Sequence, residues 1–490
     1  MLKRSTKRIH FIGIGGAGVS ALAHLMLDMK KYEVTGSDKQ SSKVTRALEE
    51  AGAQIWYEHD ERYVRHADLV VRSTAISDEN PEVNYAKQHG VPLLSRIEFM
   101  AYLADPKKKR SVVVSGSHGK STTTSMVASI ALAAQLDPSF VIGSVLKRGI
   151  GSARHGESDL FICEGDESNN SMLSFAPHVA VVTNIDYDHM DFHGSLSNLK
   201  NSFVEFLNSP GRDGFSVVCL DDENVRSIMP MLKGRVITYG THPEAEYQAV
   251  RRRVHNGGLS FEVHHRSEGP LGVVNLGFPG DHNMQNALCS LAVCRSLGVT
   301  TDTCSYGLET FPGIHRRYDM LHAGNVHVID DYAHHPTEIQ NLLGSVREVF
   351  KGRLRVIFQP HRYTRSRALA QQFPPAFINA DEIILAPIYT ANEKPMAGIG
   401  LDYLNRFFQS KYDEMKLRCI DDLDAIYQYV VDSSRPGDVV LTVGAGTVNT
   451  IGYRLAETFA RRDAELVSGV DLDRIAQEMS EASFLMDEQN

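Results

Sequence analysis

Lys120 and Ser121 follow two closely spaced glycines, Gly116 and Gly119, and this combination of residue types suits the phosphates of a nucleotide. In such a loop, backbone N–H groups point at anionic oxygens and the following helix adds the positive end of its dipole. Glycine lets the backbone come close. Lys120 is spaced to reach the β- and γ-phosphates, and the Ser121 hydroxyl to ligate Mg²⁺. Ser117, His118 and Thr122 complete the loop. It is two residues shorter than the usual G-x-x-x-x-G-K-[ST] pattern, so its context decides between a phosphate site and a tight turn with a surface lysine.

A phosphate loop needs further metal ligands, and one or two carboxylates beside retained waters satisfy Mg²⁺. Glu164 ends the next apolar run and is the expected ligand, with Asp166 and Glu167 as alternatives. His189 sits among Asp186, Asp188 and Asp191 after a further apolar run, as a candidate for a second metal flanking a transferring phosphoryl group. Farther along, Tyr332, His334, His361, Arg362 and Arg365 form a cationic set with hydrogen-bonding tips. Arginine pairs bidentately with carboxylates, so this set suits a small carboxylate substrate. Arg316 and Arg317 are spaced to clamp a nucleotide phosphate or to join interdomain ion pairs.

The elements that must position these groups alternate between strand and helix. The phosphate loop lies between the apolar β-branched run ending at Ser115 and a helix-forming run from Met126 to Ala134. Before it, a strand at Arg8–Ile12 runs into Gly13, Gly15 and Gly18, the G-x-G-x-x-G of a dinucleotide turn. Asp38 stands twenty residues past the last glycine, placed for a ribose hydroxyl. Alternation of this kind predicts parallel sheets with ligand groups at the strand C-termini. The stretch from about Val236 to Leu276, with Gly-Gly and Glu-Gly turns, predicts an antiparallel insert. The fold class is therefore α/β in three domains: a Rossmann-like N-terminal domain (1–108), a central P-loop ATPase-type domain with a mixed or parallel sheet (109–312), and a Rossmann-like C-terminal domain (313–465). A tail (466–490) follows.

At 490 residues the chain is too long for one core, and its ordinary composition is that of a globular protein. A net charge of -9 argues against a general nucleic-acid binder. No window is apolar enough for a membrane span, and no cleavable apolar segment follows the charged start. The six cysteines fit neither a disulfide framework nor a zinc pattern, which points to core residues in a reducing, cytoplasmic setting.

Taken in order, Gly13–Gly18, Gly116–Thr124, Glu164–Ser168, Asn184–Asp191, His282-Asn283 with Asn286, Arg316-Arg317, Asp330–Glu338 and His361–Arg365 resemble the Mur ligase family up to about residue 460. The resemblance implies an ATP-dependent ligase of cell-wall (peptidoglycan) precursor synthesis. Such an enzyme joins L-alanine to the lactyl carboxylate of UDP-N-acetylmuramate through an acyl phosphate and releases ADP and phosphate. It reassigns the glycine fingerprint from NAD to UDP, with Gly15, Ala17, Gly18, Asp38, Ser73 and Thr74 lining that site. ATP would lie on Gly116–Thr122, with Asn283 and Asn286 near the adenine and Arg316 alongside. Ser121, Glu164 and His189 would hold Mg²⁺, and Tyr332, His334, His361, Arg362 and Arg365 would surround the amino acid. The catalytic set is then Lys120, Glu164, His189, His334 and Arg362. The expected partners are small molecules only, and the expected state is a monomer or weak homodimer.

Two alternatives stand beside this reading. One is a ligase of the same fold adding another amino acid or a peptide. The other, more remote, is an NAD-dependent oxidoreductase, which leaves the phosphate loop without work. The chain departs from the family's usual pattern at Ser117 and Ser121, where threonine is common, at Gly165 for alanine, and at Asn169 for aspartate.

Overall fold

A computed structural model describes residues 6–107, 109–413 and 416–468. The tail expected from 466 to 490 thus lies outside the described residues, apart from its first three, which complete the helix Asn449–Ser468. The chain divides after His315 into two compact units.

The first unit holds two sheets. The N-terminal one is wholly parallel, with strands β1 (Arg8–Ile12), β2 (Glu33–Ser37), β3 (Gln54–Trp56), β4 (Leu69–Arg72) and β5 (Leu93–Ser95) in the order β3-β2-β1-β4-β5. This is the doubly wound arrangement predicted from the glycine fingerprint, with β1 at its centre. The second sheet has ten strands: β6 (Arg110–Ser115), β7 (Ser139–Leu146), β8 (Gly151–Arg154), β9 (Leu160–Glu164), β10 (Val179–Val182), β11 (Phe215–Cys219), β12 (Arg235–Gly240), β13 (Tyr247–His255), β14 (Gly258–His265) and β15 (Gly269–Leu276). Their order is β15-β14-β13-β12-β11-β10-β6-β9-β7-β8.

The strand carrying the phosphate loop, β6, lies between β10 and β9 and is parallel to both. The chain passes from β6 to β7, β8 and β9 on one side and then crosses to β10 on the other, the switch of direction at which open α/β sheets offer a ligand crevice at the carboxyl ends of their strands. The antiparallel segment predicted after Val236 is present as β13–β15. It is no separate insert, however: β12 pairs with β13 in parallel and carries the hairpins into the main sheet. The Gly-Gly and Glu-Gly turns signalled the hairpins, but sheet membership depends on pairing, which no local pattern carries.

The second unit has one sheet of β16 (Asp319–His322), β17 (His327–Asp331), β18 (Leu354–Phe358), β19 (Glu382–Leu385), β20 (Leu417–Cys419) and β21 (Val439–Val443). The order is β16-β17-β21-β18-β19-β20, parallel except for the edge strand β16. Helices pack on both faces, and the inner strands read as apolar runs because both faces are covered. β18 breaks that rule: Arg355 is its second residue and is fully buried.

Candidate active site

β6 is buried from Ser111 to Ser115, and the chain turns at its end through Gly116 (φ +128°) and Gly119 (φ +83°) into the helix Lys120–Ala133. Both glycines are required twice over. Each takes a φ that L side chains rarely adopt, and a Cβ would stand 2.2 Å from Thr183 Oγ1 at Gly116 and 2.6 Å from Asn286 Oδ1 at Gly119.

The loop is held from outside by the segment after β10. Asn184 grips one residue at two points, its Oδ1 accepting from the His118 N–H (2.8 Å) and its Nδ2 donating to the His118 carbonyl (2.9 Å). Thr183 Oγ1 donates to the same carbonyl, the Asp186 N–H donates to Ser117 Oγ, and the His118 imidazole contacts Asp186 Oδ2 at 2.9 Å. Three residues, Thr183, Asn184 and Asp186, thus fix a short loop whose own glycines give it no rigidity.

Lys120 and Ser121 each meet a carboxylate. The Lys120 ammonium donates to the carbonyls of Gly116 and Ser117 and lies 2.9 Å from Glu167 Oε1. Burial pulls the ammonium down, but Glu167, Asp166 and Glu164 more than offset this, so it stays above its ordinary value. Glu167 is itself buried, and burial pushes its carboxyl up to about 7 against the pull of Lys120. Ser121 Oγ donates to Glu164 Oε2 (3.0 Å), while Glu164 Oε1 accepts from the Gly143 N–H (2.6 Å). A Cβ at Gly143 would meet that carboxylate at 2.8 Å. His189 follows β10 in a left-handed conformation (φ 56°), with Nε2 3.7 Å from Glu167 Oε1 and 3.4 Å from Asp188 Oδ2. Of the expected metal ligands, the structure therefore pairs Ser121 with Glu164, and it sets His189 against Glu167.

The departure at Gly165 has a local cause. A Cβ there would lie 2.9 Å from Val113 Cγ1 and 3.1 Å from Met172 Cβ, so the valine and the methionine occupy the space an alanine would need. Asn169 uses its Oδ1 to accept from the Ser171 N–H, a turn contact that an aspartate makes equally well. On the helix Asp281–Ser296, Asn286 Oδ1 accepts from Thr123 Oγ1, and the Asn283 amide donates to the Pro279 carbonyl.

In the N-terminal sheet, the Gly15 N–H donates to Asp38 Oδ2 (2.8 Å) and the Lys39 N–H to Oδ1 (2.7 Å). The carboxylate expected at a ribose thus also closes the glycine loop. Ser73, after β4, packs beneath Gly13, and Thr74 is exposed. Sequence reasoning missed Arg96, whose guanidinium lies against Gly18: a Cβ there would stand 2.6 Å from Nη1. Its only signal was an arginine one residue past a strand end.

In the second unit, Tyr332, His334 and His361 come from the ends of β17 and β18. The His334 ring stands edge-on to Tyr332 and 5.7 Å from the His361 ring, which stacks on Tyr389. Burial brings His334 down to about 3 and His361 to about 4, with Arg365 adding to both, so the imidazoles are neutral at pH 7. The positive charge of this edge therefore rests on arginine. Arg362 adopts φ 67°, ψ 142° and pairs with Glu393 (3.4 Å). Arg316 (φ 62°) bonds Asp330 and the Gly444 carbonyl. Arg317 sits beside Glu338 and Asp331, whose carboxyl burial raises to about 6. Left-handed backbone at His189, Arg316 and Arg362 alike is the kind of strain that packed functional edges retain.

Comparison with known proteins agrees with this arrangement. Family models match residues 8–108 (Mur ligase family, catalytic domain), 114–294 (Mur ligase middle domain) and 316–446 (Mur ligase, glutamate ligase domain). The UDP-N-acetylmuramate–L-alanine ligase of Syntrophus aciditrophicus is 40% identical over 456 residues, covering 93% of this chain and 94% of that one. Among solved structures, UDP-N-acetylmuramate-alanine ligase MurC from Thermotoga maritima superposes with a TM-score of 0.77 at 29% identity, covering 93% of this chain and 99% of that one. A murein peptide ligase from Psychrobacter arcticus shares the fold at a TM-score of 0.67 and 22% identity, with 92% and 98% covered. With a phosphate loop, its carboxylates and three consecutive family domains in one chain, this protein belongs to the Mur ligase family.

Proposed function

We propose that the protein is an ATP-dependent ligase forming the amide between L-alanine and the lactyl carboxylate of UDP-N-acetylmuramate. The observation that carries this is the pairing of Lys120 with Glu167 and of Ser121 with Glu164 at the mouth of the phosphate loop. A carboxylate is a poor electrophile, because amine attack would have to expel an oxide. Attack of a lactyl oxygen on the γ-phosphorus, with ADP leaving, gives an acyl phosphate. The α-amine then attacks the acyl carbon, phosphate departs, and the nitrogen loses its proton.

Lys120 would follow the charge of the transferring group, released from the carbonyls it holds without ligand. The residues fit Mg²⁺: a hydroxyl and a carboxylate 3.0 Å apart, both hard oxygen donors, with the carboxylate fixed by the Gly143 N–H. Ser121 and Glu164 would hold one ion and Glu164 with His189 a second. When bound, the metal neutralises charge on the phosphates. Ser121 keeps the hydroxyl that threonine supplies in relatives, so ligation survives the departure.

The N-terminal sheet would hold the UDP moiety through Gly15, Ala17, Gly18, Asp38, Ser73 and Thr74, with Arg96 added beside Gly18. Asn283, Asn286 and Arg316 would serve ATP. Tyr332, His334, His361, Arg362 and Arg365 would bind L-alanine, the arginines taking its carboxylate while the imidazoles stay neutral. The domain limits 1–108, 109–312 and 313–465 follow the same division of labour.

Phosphate release from ATP across a panel of amino acids tests the assignment. Release is expected only when UDP-N-acetylmuramate, L-alanine and Mg²⁺ are all present. Equal release with glycine, L-serine and L-alanine would remove alanine and leave the ligase class standing.

A further inference from the structure

Glu82 has no part in the chemistry above, yet its carboxylate is completely buried and four donors converge on it. It opens the helix Pro81–His89, behind the N-cap Asn80. Oε2 accepts from Ser37 Oγ (2.7 Å) and lies 3.2 Å from His10 Nε2. Oε1 accepts from the Asp60 N–H (3.2 Å) and lies 3.3 Å from His59 Nδ1. One side chain thus ties β1, the end of β2 and the loop after β3.

The protons in this network can be placed by donor and acceptor capacity. A carboxylate only accepts, so His10 must present Nε2–H, and its Nδ1 then accepts from Thr35 Oγ1 (2.9 Å). Ser37 spends its proton on Glu82, so at 3.1 Å it can only accept from His59 Nδ1. His59 therefore carries a proton on Nδ1, and in the neutral ring the lone pair is on Nε2. The loop bearing His59 adjoins the one bearing Asp38, whose N–H donates to the Trp56 carbonyl. Both lie at the carboxyl edge of the sheet, where ligands of doubly wound folds bind.

We infer that Glu82 is a positioning residue: acting through Ser37, it locks His59 as an Nδ1–H imidazole whose Nε2 accepts a hydrogen bond from an N–H or O–H of the uridine diphosphate moiety. This rests on the assignment of the N-terminal sheet to the sugar nucleotide.

The E82Q variant separates this role from mere support, because glutamine keeps the volume but turns one acceptor into a donor. In the full-length wild-type enzyme, nitrogen-15 NMR of His59 should report the Nδ1–H form, and in E82Q a shift toward Nε2–H. Affinity for UDP alone, by calorimetry, and KM for UDP-N-acetylmuramate should both worsen by roughly tenfold, with kcat and KM for ATP within about twofold. Should E82Q fold poorly, S37A removes the relay alone and should weaken UDP binding by roughly threefold. Unchanged UDP affinity in a folded variant, or an Nε2–H His59 in the wild type, overturns the inference. Failure of the wild type to bind UDP would instead overturn the site assignment itself.

Discussion

Lys120, Ser121 and Glu164 were legible because phosphate chemistry restricts residue type and spacing together. Their immediate supports were not. Glu167, Asn184 and the Gly143 N–H act across the crevice, and nothing in the spacing of Asn184 says that its amide will grip His118 at both ends. Gly165 shows a second limit: its reason is Val113 on β6 together with Met172, and becomes visible only when the three share a pocket. Gly165→Ala should cost about 1–3 kcal/mol through overpacking, read by denaturant unfolding. Joined with Val113→Ala, which removes the nearest atom, the same change should cost less than the two single losses combined; simple additivity would refute the steric account. The buried imidazoles predict a pH dependence. His361 titrates near 4 in the fold against an ordinary 6.5, and His334 near 3, so the unfolded chain takes up protons first as pH falls. Their contribution is complete above about pH 6.5 and is lost downward toward pH 4. Replacing His361 by glutamine should flatten the acid limb of stability over that window. An unchanged slope would place His361 in solvent contact.

At the scale of elements, the parallel α/β layers followed from alternation, while strand order and the pairing beyond β12 did not. The clearest miss is β18. Its sequence is an apolar run interrupted by one arginine, and nothing in the run says what that charge meets. In the fold Arg355 is fully buried and donates to Glu382 (2.6 Å), Ser433 and Ser434, while Arg353 and Arg418 approach the same carboxylate. Burial works to raise Glu382, but Tyr429 and Arg355 more than offset it and hold it below the usual range. Glu382→Gln should therefore leave buried guanidinium charge without its counterion and cost roughly 3–5 kcal/mol. The loss should appear as a lower unfolding midpoint with KM for ATP unchanged at moderate temperature. A loss under about 1 kcal/mol would mean that water reaches Arg355 and pays for its charge.

For the whole molecule, the composition argued for three domains but could not say which of them share a core. The buried cluster around β1 answers that for the first unit. Ile9, Phe11, Phe99 and Met100 of the N-terminal sheet layer belong to the same apolar cluster as Val113, Phe175 and Phe203 of the central layer. The Asp28 carboxylate also accepts the His155 N–H (3.0 Å). The second unit has clusters of its own, built on Ile329, Val356 and Phe358 on one sheet face and Val328, Ile357 and Val440 on the other. Burial shared in this way makes unfolding cooperative, since exposing one layer exposes its neighbour's apolar face. A fragment ending at His315 should then melt in one calorimetric transition, bind UDP, bind ATP less tightly than the whole chain because Arg316 is missing, and release no phosphate with L-alanine because the edge proposed for the amino acid is missing. A shorter fragment ending at residue 108 should bind the dye ANS and unfold without a sharp transition, its face toward Val113 and Phe175 left in water. Two separate transitions in the longer fragment would show that the layers fold independently and that the shared cluster contributes little to either.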